Sequence, residues 1–144
     1  MGFAISLIDW VASEIAITTA TQGTAHKNTR GDTMTVLTQE ERHASRSIEA
    51  AIAREDWLKA RRLIREGLRR KPGDHWLLTR LALTYYEQRQ YRRALHYDVK
   101  ALNVEPYCPL AVWGYAGALD MLERRKEALQ IYRWLISWGE DTLV

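Results

Sequence analysis

The chain has 144 residues, the length of a single domain, and 47% of them are hydrophobic, which is enough to bury a core. Its one cysteine, Cys108, excludes an internal disulfide, and the four histidines form no cluster with metal-ligand spacing. We therefore expect no metal, no cofactor and a reducing, cytoplasmic setting. The formal net charge is +3, and the positive excess lies mostly in residues 41–74.

The first 37 residues do not share the pattern of the rest and are predicted to be a leader. Their apolar run, Gly2–Ala16, is interrupted by Asp9 and Glu14, so it is no membrane span, and no Lys or Arg precedes it as a secretory signal would require. A polar, threonine-rich stretch follows. We interpret residues 1–37 as flexible or as an artefact of a start upstream of Met34; a short amphipathic helix docked on the remainder is the alternative.

Regular structure is predicted to begin at Thr38. Thr38 and Glu41 have the spacing of a capping box, which places the start of the first helix there. That helix should run to about Arg54 and be followed by a turn, and Trp57 should open a second helix. Pro72 should end the second helix, because proline cannot continue the hydrogen-bond ladder.

The next stretch, His75–Cys108, has the pattern of two helices joined by a short polar turn. Apolar residues recur at helical spacing in both halves, which predicts one buried stripe on each helix. Pro106 should end the second helix. The stripe residues are Leu78, Leu81, Ala82 and Tyr85 in the first helix, and Tyr91, Ala94, Ala101 and Leu102 in the second.

This helical hairpin recurs with a constant period. Ala60, Ala94 and Ala128 are 34 residues apart, and so are Pro72 and Pro106. On these residues the chain resembles the tetratricopeptide repeat (TPR) family. The resemblance implies an all-α fold, a right-handed superhelical array of three antiparallel helical hairpins, in a domain spanning residues 38–144 with repeats at 41–74, 75–108 and 109–142.

Two departures from the family pattern stand out. The turn position that usually holds glycine holds Glu55, Arg89 and Glu123, so strained or altered turns are expected. Asp98 stands where an aromatic residue is typical, in an otherwise apolar helix face. A buried carboxylate needs a partner, and we expect a structural hydrogen bond from a tyrosine or an arginine; exposure and a functional role are the alternatives.

Proteins of this family bind a peptide or a helix of another protein in a concave groove lined by the first helix of each hairpin. The resemblance therefore implies a non-catalytic adaptor or scaffold. Three arginines form a cationic track, and three aromatic residues are candidate anchors. We call the following the groove residues: Arg42, Arg46, Glu49, Trp76, Arg80, Tyr86, Trp113 and Asp120.

Chaperone-binding members of the family hold a peptide's terminal carboxylate with a clamp of lysine, asparagine and arginine. That clamp is missing from this chain, so recognition of a chaperone tail by it is disfavoured. The residues at the clamp positions are Ser45, Glu49, Leu110 and Gly114.

Two other functions remain open. The basic face Arg61–Lys71 could bind nucleic acid, but no aromatic residues interleave its cations, and a solvated outer face is the simpler interpretation. The apolar C-terminal end, with Trp134, Leu135 and Trp138, is typical of an interface and could make a homodimer. We find no catalytic motif, so an enzyme is not expected.

Overall fold

The structure is a computed structural model that describes residues 37–140, with side chains to residue 138. This part of the chain is helical and contains no strand, which confirms the predicted all-α class. Each helix packs on the next in the sequence, and the first helices of the second and third hairpins also contact each other. The helices are α1 Gln39–Ala53, α2 Trp57–Arg70, α3 His75–Glu87, α4 Tyr91–Val104, α5 Pro109–Met121 and α6 Arg125–Glu140.

The predicted starts and stops are confirmed within the described range. Asp74 caps α3, where its side chain accepts the backbone N–H of Leu77 at 3.1 Å. The loops after α2 and α4 repeat one backbone turn, in which the N–H of Asp74 donates to Lys71 O and that of Cys108 to Glu105 O. The leader prediction falls on residues that lie, apart from Leu37, outside the described residues, and it stays a prediction.

The turns inside the three hairpins share one conformation. Glu55, Arg89 and Glu123 have φ of 57°, 59° and 62°, in the left-handed region that favours glycine. After α3, the N–H of Gln90 reaches back to Tyr85 O and that of Arg89 to Tyr86 O, both at 2.9 Å. This is a Schellman motif, and the same two bonds form after α1 and α5. The expected strain is therefore a repeated feature of the hairpin, tolerated at three non-glycine positions.

The repeated alanines occupy matching places in the core. Ala60 and Ala94 are completely buried and Ala128 is almost so, each on the second helix of its hairpin. Small side chains there let the paired helices approach closely, and buried Leu81 and Leu119 fill the space beside them. Equal environments at equal spacing confirm that the period seen in the sequence is a structural repeat.

Candidate partner-binding face

The groove residues lie on the three first helices, α1, α3 and α5, and contacts between these helices place them on a common face. An ion pair between Glu49 and Arg80 joins α1 to α3. Tyr86 of α3 reaches α5, where its ring lies 3.6 Å from the position a Cβ would take on Gly117. The structure therefore brings the predicted set together in adjacent pairs along the array.

Arg80 is held within this face. Its Nε lies 2.6 Å from Oε1 of Glu49, and its guanidinium carbon is 5.3 Å from the centre of the Trp76 ring. The Nε–H is buried and is not aligned with the carboxylate, so the contact is ionic and is supported by the indole face. The predicted cationic track is thus uneven, since Arg80 is neutralised while Arg42 and Arg46 are exposed on α1.

The other end of the face is aromatic. Trp113 is 61% exposed and meets the ring of Tyr132 edge-on at 5.2 Å between ring centres. Tyr132 belongs to α6, and its hydroxyl and that of Tyr86 both lie 3.7 Å from the Cβ position of Gly117. Burial raises the pKa of both tyrosines, and the nearby Asp120 carboxylate raises each of them further. Tyr132 was not among the predicted groove residues, although its 34-residue spacing from Asp98 placed it beside them.

Asp98 has an environment that the sequence did not predict. It is only 3% exposed, and none of the described residues donates the expected hydrogen bond to it. Its carboxyl oxygens lie 2.8 and 2.9 Å from the position that a Cβ on Gly114 would take, so the absence of a side chain at Gly114 makes room for them. Burial raises the pKa of Asp98 to about 8.

The basic face Arg61–Lys71 is largely engaged within the protein. Arg61 is buried, donates to Gln88 Oε1 at 2.7 Å and lies over the Tyr85 ring. Arg65 donates to the Tyr85 hydroxyl at 2.7 Å. Both bonds tie α2 to α3, and Lys71 pairs with Glu41. Arginines that hold two hairpins together are not available to phosphate, which weakens the support for a nucleic-acid surface.

The apolar end is divided between packed and open residues. Trp134 and Trp138 meet at 4.5 Å between ring centres, and Tyr107 lies 5.5 Å from Trp138, so these aromatics cover one another. Two other α6 residues are open, Leu129 at 50% and Ile136 at 62% exposure. Comparing residues 34 apart would have identified them, because the equivalents of these two in the middle hairpin, Leu95 and Leu102, are covered.

Residues 37–140 include no group of three or more His, Cys, Asp or Glu side chains that could hold a metal ion. One sulfur contact was not predicted: Nδ1 of His75 lies 3.3 Å from Sγ of Cys108, and the thiol is buried. No described helix is long and apolar enough to cross a membrane.

The comparisons with known proteins support the fold. No protein-family model matches the sequence, and neither does any curated protein. A solved structure, the TPR2B domain of yeast Sti1 in its complex with pHsp70, is similar, with a TM-score of 0.61 and 19% identity. The match covers 65% of this chain and 75% of that chain. Such low identity establishes the fold alone: the described helices form a TPR-like array of three hairpins, as the sequence predicted.

Proposed function

We propose that this protein is a non-catalytic adaptor that holds a segment of another protein against the groove residues. The observation that carries the proposal is an exposed indole, Trp113, on the same face as two exposed arginines, Arg42 and Arg46. Exposed aromatic and arginine side chains are the types most enriched in binding hot spots. A TPR-like fold is typically a protein-interaction module, and the similar Sti1 domain was solved with pHsp70 bound. The cytoplasmic setting stays a prediction.

The chemistry of the face suggests which segment would bind. Arg42 and Arg46 at the α1 end favour an acidic residue, because their charges have no ion-pair partner among the described residues. Trp113 and Tyr132 at the α5 end favour an apolar or aromatic residue. A terminal carboxylate held by the chaperone-tail clamp is not expected, since Glu49, which occupies a clamp position, already pairs with Arg80.

The test is a selection with random peptides on the immobilised full chain, followed by affinity measurement with the selected peptides. Reversing both charges in Arg42→Glu with Arg46→Glu should weaken binding about tenfold or more. The matched control is Arg62→Glu with Arg69→Glu, which makes the same charge change on exposed positions of α2 and should leave affinity within about twofold. Equal losses in both double variants, at unchanged helical circular dichroism, would remove the assignment to this face.

A second candidate function is self-association through α6. In the middle hairpin, Leu102 is 3% exposed because α5 covers it, whereas its equivalent Ile136 is open. An open apolar face of this kind is typical of an interface. Light scattering across a concentration series should detect a dimer that Leu129→Glu with Ile136→Glu abolishes. A monomer at every concentration in the wild type would exclude this candidate without affecting the first.

A further inference from the structure

The boundary between the second and third hairpins lacks a cation that the boundary before it contains. Arg80 and Gly114 are 34 residues apart and occupy the same position on α3 and α5. Arg80 extends from that position along the face to Glu49 of the preceding first helix. The equivalents of this pair are Gly114 and Leu83, so neither the guanidinium nor its carboxylate is present at the second boundary.

A carboxyl group lies there all the same, supplied from a different direction. Asp98 comes from α4, behind α5, and its oxygens lie within 2.9 Å of the Cβ position of Gly114. At the first boundary the residue equivalent to Asp98 is Ile64, which is completely buried. A carboxyl has therefore taken an apolar position at the point where the arginine is missing.

Structural need alone does not account for this carboxyl. Its equivalents in the other two hairpins, Ile64 and Tyr132, carry no charge, so the repeat packs without one. A buried carboxylate that receives no hydrogen bond is costly, and no described side chain offsets that cost for Asp98. Gly114 is partly exposed on the face that carries the groove residues, so only the absence of its side chain brings the carboxyl near that surface.

We infer that the surface at Gly114, with the Asp98 carboxyl beneath it, receives an arginine side chain of the bound protein segment, which takes the place that Arg80 occupies one hairpin earlier. We call it the Gly114 site. This inference rests on the proposed function and adds a basic residue to the segment, on the α5 side of the acidic residue that Arg42 and Arg46 would bind. A guanidinium fits best, since its planar donors can pair with both oxygens of one carboxylate.

The site can be tested without any protein partner by using ethylguanidinium as the probe and neutral ethylurea as its isostere. The backbone amide of Gly114 is followed by NMR in the labelled full chain at constant ionic strength. We expect a saturable shift of the Gly114 signal with ethylguanidinium and none with ethylurea. Asp98→Asn should weaken this binding about tenfold or more, since it removes the charge and keeps the shape.

The matched control is Asp120→Asn, which removes an exposed carboxylate of the same face and should leave the shift unchanged. If Asp98→Asn perturbs the fold, Gly114→Ala provides a second route, because its methyl group would meet the Asp98 oxygens at 2.8 Å and close the site with both charges kept. Equal shifts in the wild type and both site variants, or shifts centred on Asp120, would overturn the inference. Peptide binding in the preceding section could still hold in that case, so the two failures are distinguishable.

Discussion

Arg80 Nε and Glu49 Oε1 lie 2.6 Å apart and tie the first helix of one hairpin to the first helix of the next. Both positions face the predicted groove, so this part of the face is an internal ion pair with a weakened outward field. Arg80 is further sheltered by the Trp76 ring. Positive charge available to a partner is consequently concentrated on α1, at Arg42 and Arg46.

The first prediction concerns this ion pair. Arg80→Glu should destabilise the fold by about 1–3 kcal/mol, because it places two carboxylates together where one is only partly solvated. Urea denaturation measures the change, and high salt should reduce it. The control is the exchanged pair, Arg80→Glu with Glu49→Arg, which should recover most of the loss. No recovery would mean that packing on Trp76, rather than charge, is what Arg80 contributes.

The second prediction concerns the hairpin turns. Replacing Glu55, Arg89 or Glu123 by glycine should each stabilise the protein by about 0.5–1 kcal/mol, since glycine adopts positive φ without the steric cost of a Cβ. Thermal unfolding should show an increase for each variant. Arg54→Gly, one residue before the first of these turns, is the control and should be neutral or destabilising, because Arg54 is not in the left-handed region.

The period of 34 residues made much of this fold predictable. Alanine spacing, prolines and caps act within one hairpin, so the helix bounds and the glycine-like turns followed from local patterns. The charges of the site were less predictable, because each partner comes from a neighbouring hairpin. Arg80 was expected to be a free cation and Asp98 to have a donor; Glu49 and Gly114 decide both, and pairing them required the structure.

The third prediction concerns the core. Ala94→Leu should cost about 1–3 kcal/mol by overpacking, because Ala94 is completely buried where the two helices of the middle hairpin approach. The matched control is Ala44→Leu, at an exposed position of α1, which should change stability by less than about 0.5 kcal/mol. Chemical denaturation compares the two variants. A tolerated leucine at residue 94 would show that the hairpin is packed more loosely than the structure indicates.

The fourth prediction concerns pH and Asp98. Its pKa rises from an ordinary 3.8 to about 8 on folding because it is buried. The folded state therefore holds a proton that the unfolded chain has released, so the contribution of Asp98 to stability falls as pH rises from about 4 to about 8 and is constant outside that window. Each pH unit within the window costs about 1.4 kcal/mol for a single group.

Asp98→Asn isolates this contribution from that of every other titrating group. The amide resembles the protonated acid and does not ionise, so the stability of the variant relative to the wild type should increase steadily between about pH 5 and pH 8, by a few kcal/mol in total. Urea titrations of both proteins at matched pH values measure the difference. Asp120→Asn, at an exposed carboxylate, should show no such trend. A constant difference between wild type and Asp98→Asn would mean that Asp98 ionises with an ordinary pKa and that its carboxyl is solvated in the folded protein.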